Sequence, residues 1–146
     1  MSDNVEVINN PSNKEPRITD ETLCKLFDDT KQFDDLIIID CRSIHEYSAG
    51  HIKTAIRCHP TETNDNILNL YNRLWRPRVC FVFHCEFSKY RGPTGYRYFA
   101  QVHQRSKNSD QKLNAYILDG GFYRFFALHQ DYCVGTYIPE IDIPIE

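Results

Sequence analysis

The sequence predicts an α/β fold built on a mainly parallel sheet. Two observations lead to it. Leu36-Ile37-Ile38-Ile39, Val79-Cys80-Phe81-Val82-Phe83 and Ala115-Tyr116-Ile117-Leu118 are continuous apolar runs without polar alternation, which suits strands buried on both faces. Segments of helical spacing lie between these runs, so strands and helices alternate along the chain.

The elements follow in order. Residues 1–16 carry Asn, Ser, Pro and mixed charge without periodicity and are expected to form a flexible tail, leaving 17–146 as one domain. Thr19 or Asp20 caps a helix through about Phe27, with Leu23, Leu26 and Phe27 on one face. The Leu36–Ile39 strand ends at Asp40. One helical turn is expected over 45–49, broken by Gly50, and a short strand over 52–56. Thr61 or Thr63 opens a helix in which Ile67, Leu70, Tyr71 and Leu74 recur at helical spacing, with Pro77 beyond its end. A strand over 79–83 leads through a loop to a long helix over about 94–105. After a polar connection over 106–111 come the strand at 115–118, an Asp119-Gly120-Gly121 turn and an aromatic-rich helix over 122–130.

Bulk properties exclude several functions. The net charge of −3 offers no surplus of cations for a general nucleic-acid binder. No apolar run reaches the ~18–20 residues of a membrane span, and the polar N-terminus lacks the apolar core of a secretory leader. The six cysteines form no C-x-x-C pair and read as reduced intracellular thiols, most of them small buried residues. Cys41, His45 and His51 are close in sequence, but no second ligand pair has metal-site spacing, so neither metal nor cofactor is expected.

The chemistry concentrates in His84-Cys85-Glu86-Phe87-Ser88-Lys89-Tyr90-Arg91. A loop between a strand and a helix N-terminus turns its N–H groups inward, and the helix dipole favours negative charge there. Thiols in such places ionise readily. Cys85 is therefore the candidate nucleophile, and Arg91, closing the loop, can hold two oxygens of a phosphate-like anion. Gly92-Pro93 suits a sharp turn into a first helical turn. Glu86, Phe87, Ser88, Lys89 and Tyr90 would lend backbone donors while their side chains radiate outward. Ser88 can hydrogen-bond the thiolate or brace the loop. Glu86 is a candidate proton donor, and equally a solvated loop carboxylate. His84 orders the loop or serves as a base, and Lys89 and Tyr90 lie at the rim. Nucleophile, cradle and planar cation together point to attack on phosphorus or an analogue of it.

With Ile38-Ile39-Asp40-Cys41-Arg42, Glu46-Tyr47, Gly50-His51-Ile52-Lys53, His84 through Ser88, Arg91-Gly92-Pro93 and Gly120-Gly121-Phe122 in this order, the chain resembles the catalytic domain of M-phase inducer (cell-division-cycle 25) dual-specificity phosphatases over roughly residues 17–139. The resemblance implies a rhodanese-like fold, a five-stranded parallel sheet with helices on both faces. It also implies metal-free hydrolysis of phosphotyrosine and phosphothreonine through a phosphocysteine, with Cys85 as nucleophile and Arg91 as phosphate binder. Cys41 matches the family's back-door cysteine, which forms a reversible disulfide with the nucleophile. The implied substrate is a phosphorylated cyclin-dependent kinase, met by a monomer in the nucleus or cytoplasm. Tyr90 and Lys89 stand where the family carries an acidic and a small residue, which leaves the acid role to Glu86 or to the substrate. Arg97, Arg105 and Lys107 are the cations near the family's kinase-docking helix surface. Rival readings are an arsenate reductase of the yeast type, a thiosulfate sulfurtransferase, whose loop is typically one residue shorter, and a phosphoprotein-binding pseudo-enzyme.

Overall fold

The computed structural model describes residues 5–10, 14–61 and 66–139. Five parallel strands form one sheet: β1 (Arg17–Ile18), β2 (Asp35–Asp40), β4 (Ile56–Arg57), β5 (Val79–His84) and β6 (Ala115–Leu118), in the order β1-β6-β5-β2-β4. β3 (Gly50–Ile52) pairs antiparallel with β7 (Cys133–Gly135) in a small separate sheet. The helices are α1 (Asp20–Asp28), α2 (Ile44–Ala49), α3 (Asn66–Leu74), α4 (Arg91–Arg105) and α5 (Gly121–Leu128), and a 3₁₀ turn covers Gln130–Tyr132.

Successive strand residues point to opposite faces, and each face has its own core. Ile38, Cys80, Val82, Tyr116 and Leu118 pack with Leu23 and Leu26 of α1 and Phe122 and Phe125 of α5. Ile37, Ile39, Phe81, Phe83 and Ala115 pack with Ile67, Leu70 and Tyr71 of α3 and Phe99 of α4. This two-sided burial is why β2 and β5 read as unbroken apolar runs. The expected five-stranded parallel sheet with helices on both faces is the one observed.

The differences have local causes. The strand expected over 52–56 is split, because Thr54 adopts φ of 70° and reverses the chain, so β3 and β4 enter different sheets. β1 and β7 are only two and three residues long, too short for periodicity to reveal. α2 is more than a turn: Ser43 and Glu46 close a reciprocal capping box. α4 starts at Arg91, three residues before the expected start at 94, since Gly92 and Pro93 fit its first turn. α5 ends at Leu128, where the chain tightens into the 3₁₀ turn. Thr19 caps α1 by accepting from Thr22 N–H. Of the two residues expected to open α3, Thr63 lies outside the described residues and Thr61 precedes that gap.

Within the expected tail, residues 1–4 and 11–13 lie outside the described residues. Ile8 N–H donates to Arg17 O at 2.8 Å, Val5 packs against the first core, and Pro16 O accepts from Ile117 N–H at 2.9 Å.

Candidate active site

The C-terminal ends of parallel strands gather at one edge of the sheet, where α/β proteins place ligands. β5, the central strand, ends at His84, and five residues separate Cys85 from Arg91 at the start of α4. Two contacts shape this loop from outside. Cys85 O accepts from Phe122 N–H at 2.9 Å, and Glu86 O accepts from Tyr123 N–H at 3.0 Å. The first amides of α5, which have no partner within their own helix, thus hold these carbonyls away from the cradle. Ser88 takes φ of 56°, the left-handed conformation that bends the loop back. Its Oγ accepts from Cys85 N–H at 3.4 Å, and its carbonyl accepts from Arg17 at 2.9 Å. Ser88 therefore braces the loop. His84 Nδ1 donates to Cys85 O at 3.1 Å, an ordering role.

Two glycines make this packing possible. A Cβ on Gly92 would lie 2.9 Å from the carbonyl carbon of His84, so the start of α4 could not seat against the strand end. Gly121 has φ of +65°, and a Cβ there would overlap the Glu86 carbonyl and stand 2.7 Å from that of Cys85. Gly121→Ala is expected to cost about 1–3 kcal/mol through backbone strain and to disturb the loop. Urea unfolding of the two proteins measures it.

Cys85 is fully buried at the floor of the loop. Arg91 donates to Glu46 through two nitrogens, NH1 to Oε1 at 2.7 Å and NH2 to Oε2 at 3.0 Å, using two of the five N–H groups of a guanidinium. The same Glu46 closes the capping box of α2 by accepting from Ser43 N–H at 2.9 Å. Burial tends to raise the Glu46 pKa, but hydrogen bonds from Arg91 and the Ser43 backbone dominate and bring it down to about 2. Glu46 thus fixes the angle of Arg91 from the neighbouring helix. No motif in the sequence assigns Glu46 to Arg91, although the Ser43-x-x-Glu46 spacing marks a capping box.

A folded-state pKa below the ordinary value means that the Glu46 carboxylate contributes stability above about pH 4.5, lost as pH falls toward about 2. Glu46→Gln is expected to flatten that part of the acid-unfolding curve, as pH-dependent urea titrations of both proteins will show.

Glu86 does not take the solvated setting that is one of its two expected alternatives, nor the outward orientation. It is buried, with Arg42 NH1 donating to Oε1 at 3.2 Å and the Tyr137 hydroxyl donating to Oε2. Burial raises its pKa, although Tyr137 and Arg42 act to lower it. Arg42 is fully buried too. Its Nε and NH2 grip Asp40 at 2.9 and 2.8 Å, NH2 also donates to Gly50 O at 2.7 Å, and the guanidinium lies 4.4 Å from the Phe122 ring centre. Asp40 also has His84 Nε2 at 3.8 Å. Burial would raise the Asp40 pKa, but His84 and Arg42 together lower it. A single buried charge network therefore ties β2 to Glu86 and, through Tyr137, to the segment after β7. Beside it a cavity of about 160 Å³ is lined by Arg42, His45, Glu46, Ala49, Glu86, Tyr137 and Ile138.

At the rim, Phe87 packs on Tyr123 at 5.3 Å between ring centres, Lys89 Nζ stands 6.0 Å over Phe87, and Tyr90 is exposed. Cys41 lies in the core below the loop, with its N–H donating to His84 O at 2.8 Å. His51 stacks on Tyr47 and bonds its carbonyl at 2.8 Å, while Cys41 belongs to the core below α4, so the two do not share a ligand cluster. Among the described residues no group of three or more His, Cys, Asp or Glu is placed to hold a metal, and no helix is long and apolar enough to cross a membrane. On α4, Arg97 is turned to Glu15 at 2.9 Å.

The chain is similar to several curated proteins. It is 40% identical over 109 residues to M-phase inducer phosphatase 1 of Homo sapiens, covering 68% of this chain and 20% of that protein. It is 36% identical over 143 residues to the M-phase inducer phosphatase of Schizosaccharomyces pombe, covering 86% and 22%. The chain thus spans about a fifth of the length of these two relatives, and 10% of the M-phase inducer phosphatase of Dictyostelium discoideum, to which it is 36% identical over 110 residues, 70% of this chain. Among solved structures, the fold is shared with an As-Sb reductase from Leishmania major (TM-score 0.68, 24% identity, 84% of this chain and 87% of that one). It is shared equally with a yeast protein tyrosine phosphatase of the rhodanese family (TM-score 0.68, 19% identity, 86% and 95%). The rhodanese-like domain family matches residues 20–128, most of the folded region, and the chain belongs to that family.

Proposed function

We propose that this chain is a protein phosphatase that hydrolyses phosphotyrosine and phosphothreonine through a phosphocysteine on Cys85. One observation carries the reading. Cys85 and Arg91 stand at the two ends of a loop whose first two carbonyls are bonded to α5, so that in this reading the amides of the loop are left to meet a tetrahedral anion. In this reading Cys85 Sγ attacks phosphorus in line with the leaving oxygen. The loop amides and Arg91 hold the equatorial oxygens as charge develops on them. Glu46 keeps Arg91 aligned. Water then cleaves the phosphocysteine and returns the thiolate. The relatives are named M-phase inducer phosphatases, which supports a phosphorylated protein as the substrate. That this is a cyclin-dependent kinase, met by a monomer in the nucleus or cytoplasm, is part of the proposal and rests on the family resemblance alone.

In this reading Glu86 supplies the proton to the leaving oxygen; burial raises its pKa against the lowering pull of Tyr137 and Arg42, the direction that role needs. Because the protonated form is lost as pH rises through the raised pKa, activity on poor leaving groups should fall with increasing pH. Glu86→Gln should lower kcat by roughly 10²–10⁴-fold for an alkyl phosphate and have little effect on p-nitrophenyl phosphate, whose leaving group needs no proton. Equal losses on both substrates would remove Glu86 from the acid role.

The experiment that tests the reading compares aryl-phosphate hydrolysis, thiol-dependent arsenate reduction and thiosulfate-to-cyanide transfer in the wild type and in Cys85→Ser. Hydrolysis that disappears in the variant is expected. Arsenate reduction without hydrolysis would make the chain an arsenate reductase on the same fold. Transfer to cyanide alone would make it a sulfurtransferase, and phosphopeptide binding without turnover a pseudo-enzyme.

A further inference from the structure

Three cysteines lie side by side across the sheet. β4, β2 and β5 are consecutive strands, and their registers place Arg57, Asp40 and His84 in one row. The next residue on each is a cysteine: Cys58, Cys41 and Cys85. The ladder continues through them, since Cys41 N–H donates to His84 O at 2.8 Å and Cys58 N–H donates to Asp40 O at 2.9 Å. All three side chains join the same core, with Ile37, Ile39, Phe81 and Phe83, so they share one face. None of them is in a disulfide.

Spacing decides which pairs can bond. Neighbouring strands stand about 4.7–4.9 Å apart, within the roughly 4.4–6.8 Å between Cα atoms that a disulfide requires. Strands two places apart are about 10 Å away, beyond that reach. Cys41 can therefore bond either neighbour, and Cys58 can bond only Cys41. Room for the central sulfur comes from Gly95 on α4, where a Cβ would stand 2.7 Å from Cys41 Sγ. Cys58, at the outer end of the row, keeps 7% of its surface exposed, so that end borders solvent.

We propose that Cys58 is the terminal thiol of a three-sulfur relay, which carries an oxidising equivalent from Cys85 through Cys41 to the edge of the sheet. The proposal rests on Cys85 being the reactive thiolate of the site, and its oxidant is hydrogen peroxide. The Cys85 thiolate attacks peroxide, giving a sulfenic acid and hydroxide. Cys41 sulfur attacks the Cys85 sulfur, the S–O bond breaks, water leaves with the Cys41 proton, and a Cys41–Cys85 disulfide forms. Cys58, its proton taken by the hydroxide, attacks Cys41 Sγ, and the electron pair of the broken S–S bond departs on Cys85 as thiolate. Peroxide is reduced to two waters and two thiols become a Cys41–Cys58 disulfide. A thiolate stabilised by loop amides is the better leaving group, which favours this direction. Burial, with Cys85 and Cys58 alongside, pushes the Cys41 thiol well up, so Cys41 is the poorer leaving group. The nucleophile is thereby restored while the oxidising equivalent waits on the neighbouring pair.

The test treats the full chain with one equivalent of hydrogen peroxide, traps thiols with N-ethylmaleimide over time and maps disulfides by mass under non-reducing conditions. Wild type, Cys58→Ser and Cys58→Val are compared, the last keeping an apolar side chain in the core. In the wild type a Cys41–Cys85 link is expected first, then a Cys41–Cys58 link, with Cys85 alkylation and aryl-phosphate hydrolysis returning without added reductant. In both variants the Cys41–Cys85 link should persist and Cys85 should stay unreactive. A wild type that stops at Cys41–Cys85, or shows only over-oxidised Cys85, overturns the relay. Hydrolysis by the untreated wild type is read beforehand. Its absence alongside a complete relay would count against the phosphatase and not against the relay, and normal hydrolysis with no Cys41–Cys58 link would do the reverse.

Discussion

Cys85→Ser is expected to lower aryl-phosphate hydrolysis by about 10⁴-fold or more. A serine hydroxyl at the floor of this loop keeps the shape but not the ionised nucleophile on which the covalent route depends. Arg91 is the natural second variant. Arg91→Lys retains the charge but loses the planar fork, so it can satisfy neither Glu46 through two nitrogens nor two phosphate oxygens at once. A loss of roughly 10²–10³ in kcat is expected, the usual size for removing one transition-state donor. Steady-state kinetics on p-nitrophenyl phosphate measures both. A serine variant within tenfold of the wild type would mean that the covalent route is wrong. An Arg91→Lys variant with normal kcat would mean that the guanidinium does not meet the transferring group.

Arg42→Met should have the largest effect on stability. Arg42 is fully enclosed and partners Asp40, Glu86, the Gly50 carbonyl and the Phe122 ring. Removing it leaves the buried Asp40 carboxylate without its cation and Glu86 without one of its donors, and breaking one side of such a network costs about 3–5 kcal/mol. Methionine fills much of the volume, so the loss reports charge more than cavity. Urea unfolding provides the number. A cost within 1 kcal/mol of zero would show that Asp40 and Glu86 are satisfied without Arg42. Because Glu86 is the second residue of the loop, the same variant should also lower hydrolysis, linking the stability of the network to the geometry of the site.

Much of this was legible in the sequence because burial on both faces of a parallel sheet writes itself as unbroken apolar runs. β2, β5 and β6 announced themselves in that way, and so did the loop between β5 and α4. What stayed hidden depended on contacts between distant segments. Glu86 reads equally as a proton donor and as a solvated loop carboxylate until the chain after β7 returns to place Tyr137 on it. Arg42 sits in a recognisable motif, but its complete burial follows from the convergence of Asp40, Gly50, Glu86 and Phe122, which no spacing reveals. β1 and β7 are too short to show a period, and the split between β3 and β4 turns on one residue, Thr54, in a conformation that threonine rarely adopts. Glu46 was different. Its capping-box spacing was visible, and only its second duty, the grip on Arg91, needed the fold.

The most direct test of the account is to trap the intermediate. The wild type is mixed with excess p-nitrophenyl phosphate, quenched in acid within the first turnovers, and digested for mass analysis of the peptide containing Cys85. The account predicts one phosphoryl group on Cys85, with a burst of p-nitrophenol equal to the enzyme present if hydrolysis of the intermediate is the slower step. Sustained hydrolysis with Cys85 unmodified, and the phosphoryl group found elsewhere or nowhere, would contradict it.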